Sequence, residues 1–321
     1  MDSWQPNASI EIIKLRAELL FHIREFFKKR SVMEVETPSL SNFPTLDLHL
    51  DSFSIKDNQG INTLYLITSP EYHMKRLLAA ESGSIYQICK AFRNEEAGQF
   101  HNPEFTIIEW YRVGWDHWQL MEETETLLDK LLHCGTATRM SYQEVFEQNL
   151  KIDPFSLSTK KFIEQCQKHQ AKPPSDLLEQ NVNVDEQLNF LMGSFIEPHL
   201  GLDRPTFITD YPATQASLAR IHPNKKYLAQ RFELYYKGLE LGNGFHELAD
   251  AEEQGKRFIA ENQRRKQLGK SELPIDTRLL KALEHGLPDC AGIALGFDRI
   301  LMLAAGKSRM EEVLSFVWDR S

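Results

Sequence analysis

The stretch from residue 86 to residue 112, YQICKAFRNEEAGQFHNPEFTIIEWYR, constrains the fold of this chain more than any other. An apolar run leads into Arg93, a short polar segment with a glycine follows, and a second run rich in β-branched and aromatic residues leaves it. This order predicts two strands joined by a turn. With the two-residue period of a strand, Glu109 and Tyr111 share one face. An acid and an arginine inside an apolar hairpin indicate a lined cleft; surface ion pairs on an ordinary hairpin are the alternative.

The hairpin carries side chains that suit a nucleotide. The guanidinium of Arg93 can bind a phosphate or a carboxylate with a planar pair of donors, which a lysine cannot provide. The string FRNE…HNPEFT…EWY resembles motif 2 of the class II aminoacyl-tRNA synthetases and is most similar to their lysine-specific branch. The resemblance implies ATP-binding roles for Arg93, Asn94, Glu95, His101 and Phe105. Within that set Glu95 would hold the adenine amino group, and the resemblance also implies that Glu109 and Tyr111 bind the amino acid.

The composition is that of an ordinary globular protein, with 321 residues, 41% of them hydrophobic and 26% charged. This length allows one large domain or two smaller ones. The formal net charge of −9 argues against a large nucleic-acid-binding surface. The N-terminal segment lacks the layout of a signal peptide, and no run approaches the roughly 18 apolar residues of a membrane span. We therefore expect a cytoplasmic protein that does not interact with a membrane.

The cysteines indicate neither a zinc site nor a disulfide framework. They are far apart in the chain and form no C-x-x-C pair: Cys89, Cys134, Cys166 and Cys290. We expect reduced, buried or half-buried thiols, as in a cytosolic protein.

Residues 8–30 predict an amphipathic helix with Ser9 as its N-cap, and a short strand ending near Pro38 follows. The string EVETP resembles motif 1 of class II synthetases, whose helix and strand form the dimer interface, and so implies a homodimer. The alternative is that the apolar face of the helix belongs to the core. The lysine enzymes of the family carry an anticodon-binding barrel ahead of this helix, whereas few residues precede it here. We therefore expect that tRNA is not the acceptor.

A strand, TLYLIT, precedes the sequence Ser69-Pro70-Glu71 and a helix-like run. Ser69 suits an N-cap, Pro70 the first helical position and Glu71 the positive end of a helix, so capping alone explains these residues. The string also resembles a Ser/Ala-Pro-Glu segment of the family. There the glutamate contacts the amino group of the amino acid, and the resemblance assigns Ser69, Pro70 and Glu71 to substrate binding.

The segment at residues 231–248, RFELYYKGLELGNGFHEL, places three glutamates seven residues apart with glycines between them. Carboxylate oxygens suit magnesium, which binds one or two acids together with phosphate oxygens; acids that face water from a hairpin are the alternative. The segment resembles the ELxNGFxEL string of the lysine enzymes. The resemblance implies that Glu233 and Glu240 bind magnesium on ATP and that Leu241 contacts ATP. It further implies that the amino-acid pocket contains Asn243, Phe245 and Glu247, with Glu247 reading the distal ammonium.

The run AGIALGFDRILMLAAGKS at residues 291–308 predicts a glycine-containing strand followed by a helix that Asp298 opens. The glycines of such a strand allow a nucleotide to approach its backbone closely. The run resembles motif 3, and the resemblance places Gly296 at ATP and Arg299 on the γ-phosphate. Lysine enzymes usually have glycine where this chain has Ala294. The added methyl group would reshape the pocket wall, which favours a relative of lysine with a displaced amino group.

Two further segments receive structural interpretations only. Residues 150–200 predict a helical insertion without chemistry. The basic run Arg264, Arg265 and Lys266 predicts a solvated helix end, with a nucleic-acid patch as the alternative.

The three motifs occur in order, and the resemblance spans nearly the whole chain. It implies an α+β fold, the class II catalytic core, in which a mostly antiparallel sheet is flanked by helices and residues 1–321 form a single catalytic domain. The pattern is most similar to stand-alone lysyl-tRNA synthetase paralogues. These activate (R)-β-lysine, or lysine less well, with ATP and magnesium and transfer it to a lysine ε-amine of elongation factor P. The resemblance implies that Arg93 and Arg299 are the catalytic residues.

Two alternative functions remain. A truncated lysyl-tRNA synthetase would charge tRNA or a carrier protein, and a non-catalytic paralogue would act as a regulatory subunit. The second is disfavoured because the residues that a dead copy could lose are all present: Arg93, Glu95, Glu233, Glu240 and Arg299.

Overall fold

The computed structural model describes residues 4–48, 50–94, 97–179 and 182–321. The chain divides into two compact units, Met1–His133 with Glu247–Ser321, and Cys134–His246. We describe each unit by itself, and the single catalytic domain stays a prediction. Within the described ranges, no helix combines the length and apolar character that a membrane span requires.

The helices in chain order are α1 (Ile10–Lys28), α2 (Glu71–Ala79), α3 (His117–Leu132), α4 (Tyr142–Leu150), α5 (Thr159–Lys168), α6 (Val184–Leu191), α7 (Ala251–Gln267), α8 (Thr277–Gly286) and α9 (Phe297–Ala304). The strands are β1 (Met33–Glu34), β2 (Leu40–Ser41), β3 (Ser54–Lys56), β4 (Thr63–Leu66), β5 (Ile85–Phe92), β6 (Glu104–Val113), β7 (Thr138–Ser141), β8 (Thr206–Pro212), β9 (Leu228–Tyr236), β10 (Leu239–His246) and β11 (Cys290–Gly296).

The first unit is built on the predicted hairpin. Strands β5 and β6 pair antiparallel, β11 pairs antiparallel with the other edge of β6, and β1 adds to β5 in parallel. A small antiparallel sheet has the order β2-β4-β3. In β6 the side chains from Ile107 to Tyr111 are buried on both faces, because other parts of the unit cover each face.

Helix α1 begins after Ser9, whose side chain accepts a hydrogen bond from the backbone N–H of Ile12, as predicted. Its residues at helical spacing bury one face, and Phe27 stacks on Tyr86 with ring centroids 4.3 Å apart. The opposite face leaves Phe21 58% exposed. Part of the apolar surface of α1 therefore forms the core and part does not.

The second unit has strands β8, β9 and β10 in antiparallel pairs, with β7 parallel to β8. Lys237 and Gly238 turn β9 into β10, and both have positive φ angles, 54° and 74°. The predicted helical character of residues 150–200 is confirmed, since α5, α6 and a short π-helix lie within them, and their status as an insertion stays a prediction. Its apolar side chains, including Phe162 and Leu191, pack with Tyr142 in the core of this unit. The predicted mostly antiparallel sheet with flanking helices is thus confirmed in each unit.

The prediction of a solvated basic helix end is wrong for one of its residues. Arg265 is 4% exposed, and its guanidinium donates to the backbone oxygens of Asp47 and Ser271 and to the carboxylate of Asp51. The backbone oxygen of Asp51 in turn accepts from the backbone N–H of Asn94 at 2.8 Å. The arginine therefore supports the loop that precedes the motif 2 turn.

Candidate active site

Two elements of the first unit bring polar side chains to one face of the sheet. In the register of β6 and β11, Tyr111 lies opposite Gly292 and Glu109 lies opposite Ala294. Directly opposite residues have neighbouring Cβ atoms, so the methyl group of Ala294 lies beside Glu109. The face shared by Glu109 and Tyr111 is the one that the two-residue period predicts.

Helix α2 supplies the opposing polar groups. It begins at Glu71, so Pro70 precedes the first helical residue instead of occupying it, one position away from the prediction. Glu71 and Lys75 are one turn apart and lie on the same side of the helix. The Ser69 hydroxyl accepts from the backbone N–H of Glu71 at 3.0 Å and donates to Glu109 Oε2 at 2.8 Å. This serine therefore joins the start of α2 to strand β6.

A buried lysine lies between two carboxylates. Lys75 Nζ is 2.7 Å from Glu71 Oε1 and 2.6 Å from Glu247 Oε2, and the side chains of Lys75 and Glu247 are each 1% exposed. Glu109 completes the group, and its Oε1 accepts from the Tyr111 hydroxyl at 2.7 Å. The structure thus collects three carboxylates and one ammonium in a site from which water is largely excluded.

Burial and mutual repulsion control the ionisation of these groups. Burial, followed by the nearby charge of Glu71, raises the pKa of Glu109. Burial also raises the pKa of Glu247, against the attraction of Lys75. Burial by itself would lower the pKa of Lys75, but the carboxylates of Glu247 and Glu71 outweigh it and raise that pKa. Lys75 is therefore charged at neutral pH, while the acids resist carrying all three negative charges at once.

The backbone of Gly292 lines this site directly, without a side chain. A Cβ atom at this position would overlap Tyr111 Cε1 and would lie 2.6 Å from Glu247 Oε1. The sequence predicts that the glycines of this strand let a nucleotide approach. The structure shows that the space at Gly292 is filled by the side chains of Tyr111 and Glu247.

The predicted nucleotide residues of the first unit lie around the end of the β5–β6 hairpin. The Arg93 guanidinium carbon is 4.9 Å from the centroid of the Phe105 ring, and the Arg93 backbone N–H donates to Pro103. Arg299 Nη2 contacts His101 Nε2 at 2.7 Å. The start of α9 therefore reaches the motif 2 loop that also carries Arg93. Glu95 lies outside the described residues, and Asn94 is exposed.

An ion-pair network joins this region to α1. Arg16 Nη1 donates to Asp298 Oδ1 at 2.6 Å, and the other oxygen of Asp298 accepts from the backbone N–H of Thr106 at 2.6 Å. Helix α9 begins at Phe297 with Gly296 as N-cap, so Asp298 is its second residue and not its cap. The carboxylate of Asp298 holds α1, β6 and α9 together immediately before Arg299.

The remaining predicted residues of the second unit lie in strands β9 and β10. Asn243 lies directly opposite Glu233, and Arg231 Nε donates to Asn243 Oδ1 at 3.3 Å. Arg231 Nη2 also contacts Glu233 Oε1 at 2.5 Å. The other predicted residues are on β10, where a register shift follows Glu240 and includes Leu241, and where Phe245 lies opposite Arg231.

Glu233 is buried in a network of hydroxyl donors. Its Oε2 accepts from Tyr211 and from Tyr235, each at 2.5 Å, in addition to the contact of Oε1 with Arg231. Burial and the charge of Glu233 raise the pKa of Tyr211, which keeps this hydroxyl a donor. In the described part of the chain, no three His, Cys, Asp or Glu residues form a group that could hold a metal ion.

Comparison of the sequence with known protein families identifies the family of this chain. The family model described as tRNA synthetases class II (D, K and N) matches residues 2–320. The chain belongs to the class II tRNA synthetase family. Membership implies that it uses ATP, and the predicted class II catalytic fold is confirmed.

The relatives narrow the family further. The elongation factor P–(R)-β-lysine ligase of Klebsiella pneumoniae is 49% identical over 99% of this chain and 98% of its own length. The enzymes of the same name from Enterobacter sp. and Salmonella arizonae are each 48% identical with the same coverage. The predicted relationship to the stand-alone ligase branch is confirmed.

Three residues that contact predicted site residues or their neighbours do not follow from the motifs. Lys75 sits inside a helical run and reads as an ordinary surface lysine, although its i, i+4 spacing from Glu71 is a usable signal. Arg231 precedes the acids of its segment, and the sequence pattern of Asp298 indicates only a helix opener. Each contacts a predicted site residue or the immediate neighbour of one. The motifs therefore include one residue of each contacting pair and omit the other.

A separate cavity of about 600 Å³ lies in the first unit and contains none of the predicted site residues. Its lining includes His73, Arg76, Pro38 and Arg278. It borders α2 through residues other than Glu71 and Lys75, so we do not assign the class II reaction to it.

Proposed function

We propose that this chain activates (R)-β-lysine, or lysine less well, with ATP as an aminoacyl-adenylate and transfers the aminoacyl group to a lysine ε-amine of elongation factor P. The names of the relatives support the acceptor and the amino acid. One observation of the structure carries the choice of a diamino acid. It is the buried group of three carboxylates around the single ammonium of Lys75.

The charge of this group matches a substrate with two ammonium groups. When ionised, three carboxylates and one ammonium leave two negative charges in a buried site. Buried charge without compensation is costly, so an amino acid with two ammonium groups is favoured over one with a single ammonium group. We propose that Glu71 binds the ammonium near the substrate carboxylate and that Glu247 binds the distal ammonium. Ser69, Glu109, Tyr111, Asn243, Phe245 and Ala294 remain proposed pocket residues.

The first reaction step follows from charge. An oxygen of the substrate carboxylate attacks the α-phosphorus of ATP in line and forms a new P–O bond. The bond from that phosphorus to the bridging oxygen breaks, and pyrophosphate leaves. We assign Arg93 to the α-phosphate and Arg299 to the γ-phosphate, where their fixed positive charges stabilise the negative charge that develops.

The second step needs no covalent enzyme intermediate. The deprotonated ε-amine of the acceptor attacks the carbonyl carbon of the adenylate, loses a proton as the amide forms, and displaces AMP. The family enzymes named for tRNA esterify a hydroxyl group instead. The net charge of −9 supports a protein acceptor over tRNA, because a polyanion gains little from this surface.

Magnesium at Glu233 and Glu240 stays a proposal from the family pattern. A carboxylate has about four lone-pair positions, and three of those of Glu233 are used by Arg231, Tyr211 and Tyr235. The present contacts of Glu233 therefore fit a hydrogen-bond acceptor better than a metal ligand. Magnesium would neutralise phosphate charge when bound with ATP, and neither reaction step above depends on it.

Two further proposals concern the whole protein. Exposed apolar residues on α1 and β1, Phe21 at 58% and Met33 at 50%, support a homodimer through the motif 1 helix and strand. A cytoplasmic location is proposed because elongation factor P is the intended acceptor.

The test of the function uses four acceptor and substrate combinations. Protein is incubated with ATP and labelled (R)-β-lysine or lysine, together with elongation factor P or tRNA. We expect label on elongation factor P, more from (R)-β-lysine than from lysine. Label on tRNA alone would reject the acceptor in favour of a truncated lysyl-tRNA synthetase. Failure of every amino acid to stimulate pyrophosphate exchange would instead support a non-catalytic paralogue.

A further inference from the structure

In the function described so far Lys75 contributes only its charge and binds no substrate group, although it is buried as deeply as any charged side chain of the pocket. It is 1% exposed and contacts the two carboxylates, Glu71 and Glu247, that we assign to the two substrate ammonium groups. We propose that Lys75 is a positioning residue that sets the spacing of these carboxylates and thereby selects between isomeric diamino acids. This inference rests on the proposed function.

The geometry gives Lys75 this capacity because both carboxylates contact one atom. Glu71 Oε1 is 2.7 Å and Glu247 Oε2 is 2.6 Å from Nζ, so the two oxygens cannot be further apart than the sum of these distances. Glu71 and Lys75 are fixed relative to each other by one turn of α2. Glu247 follows the end of β10, and its backbone N–H donates to Cys290 in β11 at 3.0 Å. The ammonium thus links the helix side of the pocket to the sheet side.

The two candidate substrates differ in the separation of their ammonium groups, which is the distance that Lys75 would control. Lysine carries its ammonium groups on the second and sixth carbons, and (R)-β-lysine carries them on the third and sixth. The two charges of the β-isomer are therefore one methylene closer along the chain. A pair of carboxylates held close together by a shared cation favours the shorter spacing.

The pocket also explains why the residue between Glu71 and Glu247 is a cation. Without Lys75, the carboxylates of Glu71, Glu109 and Glu247 would repel one another in a buried site, and the Tyr111 hydroxyl, as a neutral donor, does not cancel their charge. An uncharged side chain in place of Lys75 would release the carboxylates from each other. It would also retain protons on the acids to a higher pH, and these protons would compete with the substrate ammonium groups.

Two substitutions test the proposal. Lys75→Arg keeps the charge but has a longer, forked donor group that moves the carboxylates apart, and Lys75→Met removes the charge at similar length. The measurement is kcat/KM for (R)-β-lysine and for lysine in ATP–pyrophosphate exchange, over a range of pH. We expect Lys75→Arg to shift the ratio of the two values toward lysine by about tenfold, the scale of discrimination by one methylene. We expect Lys75→Met to raise KM for both isomers. KM should fall with rising pH as the acids lose their protons, and in Lys75→Met this fall should occur at higher pH.

Lys256→Met is the matched control. Lys256 also pairs with a glutamate one turn earlier, Glu252, at 2.6 Å, but both side chains are exposed. This variant should leave the isomer ratio and the pH profile unchanged.

The outcomes separate this inference from the function on which it rests. A wild-type protein that exchanges pyrophosphate with neither diamino acid would reject the proposed function. An active wild type whose isomer ratio is unchanged in Lys75→Arg would reject the role of Lys75 alone. If Lys75→Met does not fold, the ratio measured with Lys75→Arg decides.

Discussion

At the scale of single residues, Gly292 is a position without room for a side chain. A methyl group there would meet the Tyr111 ring and the Glu247 carboxylate at distances that no ordinary contact allows. Both neighbours are themselves buried and bonded, so neither can move freely. The packing of Tyr111 and Glu247 therefore requires a residue without a side chain at this position.

Gly292→Ala should consequently impair activation of the diamino acid. Overpacking costs about 1–3 kcal/mol, and we expect at least a tenfold loss of kcat/KM for (R)-β-lysine with a smaller effect on KM for ATP. The measurement is pyrophosphate exchange with each substrate varied in turn. Gly193→Ala is the control, since nothing lies within 4 Å of a Cβ atom at that position. Equal effects of the two variants would contradict the assignment.

The pocket acids predict an unusual dependence of stability on pH. Burial raises the pKa of Glu109 and of Glu247 above the ordinary value of 4.5. Across the window from that value up to the raised pKa values, the folded state binds more protons than the unfolded state. The contribution of these groups to the free energy of unfolding therefore falls as pH rises through the window.

Glu109→Gln should make this fall smaller in the absence of substrate. The free energy of unfolding is measured with denaturant at about pH 5.5 and about pH 8 for both proteins. Glu144→Gln is the control, because hydrogen bonds from Ser141 lower the pKa of this exposed acid and its contribution has the opposite sign. An identical pH dependence in wild type and Glu109→Gln would show that Glu109 does not titrate abnormally.

Several residues of the site could be predicted from sequence, and the reason is local. Glu71, Glu109 and Glu247 occur in strings whose strand period, capping pattern or glycines mark them, and the structure brings them together. The spacing of Lys75 from Glu71 hints at one of its contacts, but its second contact, with Glu247, could not be found in this way, because Glu247 is distant in sequence. Charge pairing across elements is a tertiary property, and a single-sequence pattern does not contain it.

At the scale of elements, Asp298 connects three parts of the first unit. Its carboxylate accepts from Arg16 on α1 and from the backbone of Thr106 on β6, and it precedes Arg299 on α9. The helices α2 and α9 were predictable from the sequence, with starts displaced by one residue. The contact that Asp298 makes with α1 and β6 was not predictable, because an aspartate at a helix start is also typical of an N-cap.

Asp298→Asn should therefore destabilise the protein and weaken ATP binding together. Hydrogen bonds to a charged group contribute about 1.5–3 kcal/mol, so we expect a loss of that order in the free energy of unfolding and a raised KM for ATP. Glu252→Gln removes an exposed carboxylate that pairs with Lys256 and should change the free energy of unfolding much less. A stable variant with an unchanged KM for ATP would show that Asp298 does not position Arg299.

At the scale of the whole molecule, the motif 1 elements leave apolar surface uncovered. Phe21 on α1 is 58% exposed and Met33 on β1 is 50% exposed, while the buried face of α1 packs on the sheet. The core interpretation of this helix therefore holds for its buried face, and the interface interpretation stays a proposal for its exposed face.

Phe21→Glu should convert a dimer into a monomer. A charge in the centre of an apolar interface is costly, so we expect the mass measured by light scattering to halve at micromolar concentration. Ile259→Glu is the control, since Ile259 on α7 is similarly exposed at 53% but is not part of motif 1. A wild-type protein that is already monomeric would reject the proposed dimer.

The charge match between the buried acids and a diamino acid is tested most directly by pyrophosphate exchange with two substrates. One is (R)-β-lysine, and the other is the corresponding 3-aminoheptanoic acid, in which a methyl group replaces the distal ammonium. The pocket of Glu71, Glu109, Glu247 and Lys75 predicts that kcat/KM falls by at least about a hundredfold for the second, because the distal ammonium no longer compensates the negative charge of the buried carboxylates. Comparable exchange with both substrates would contradict the account.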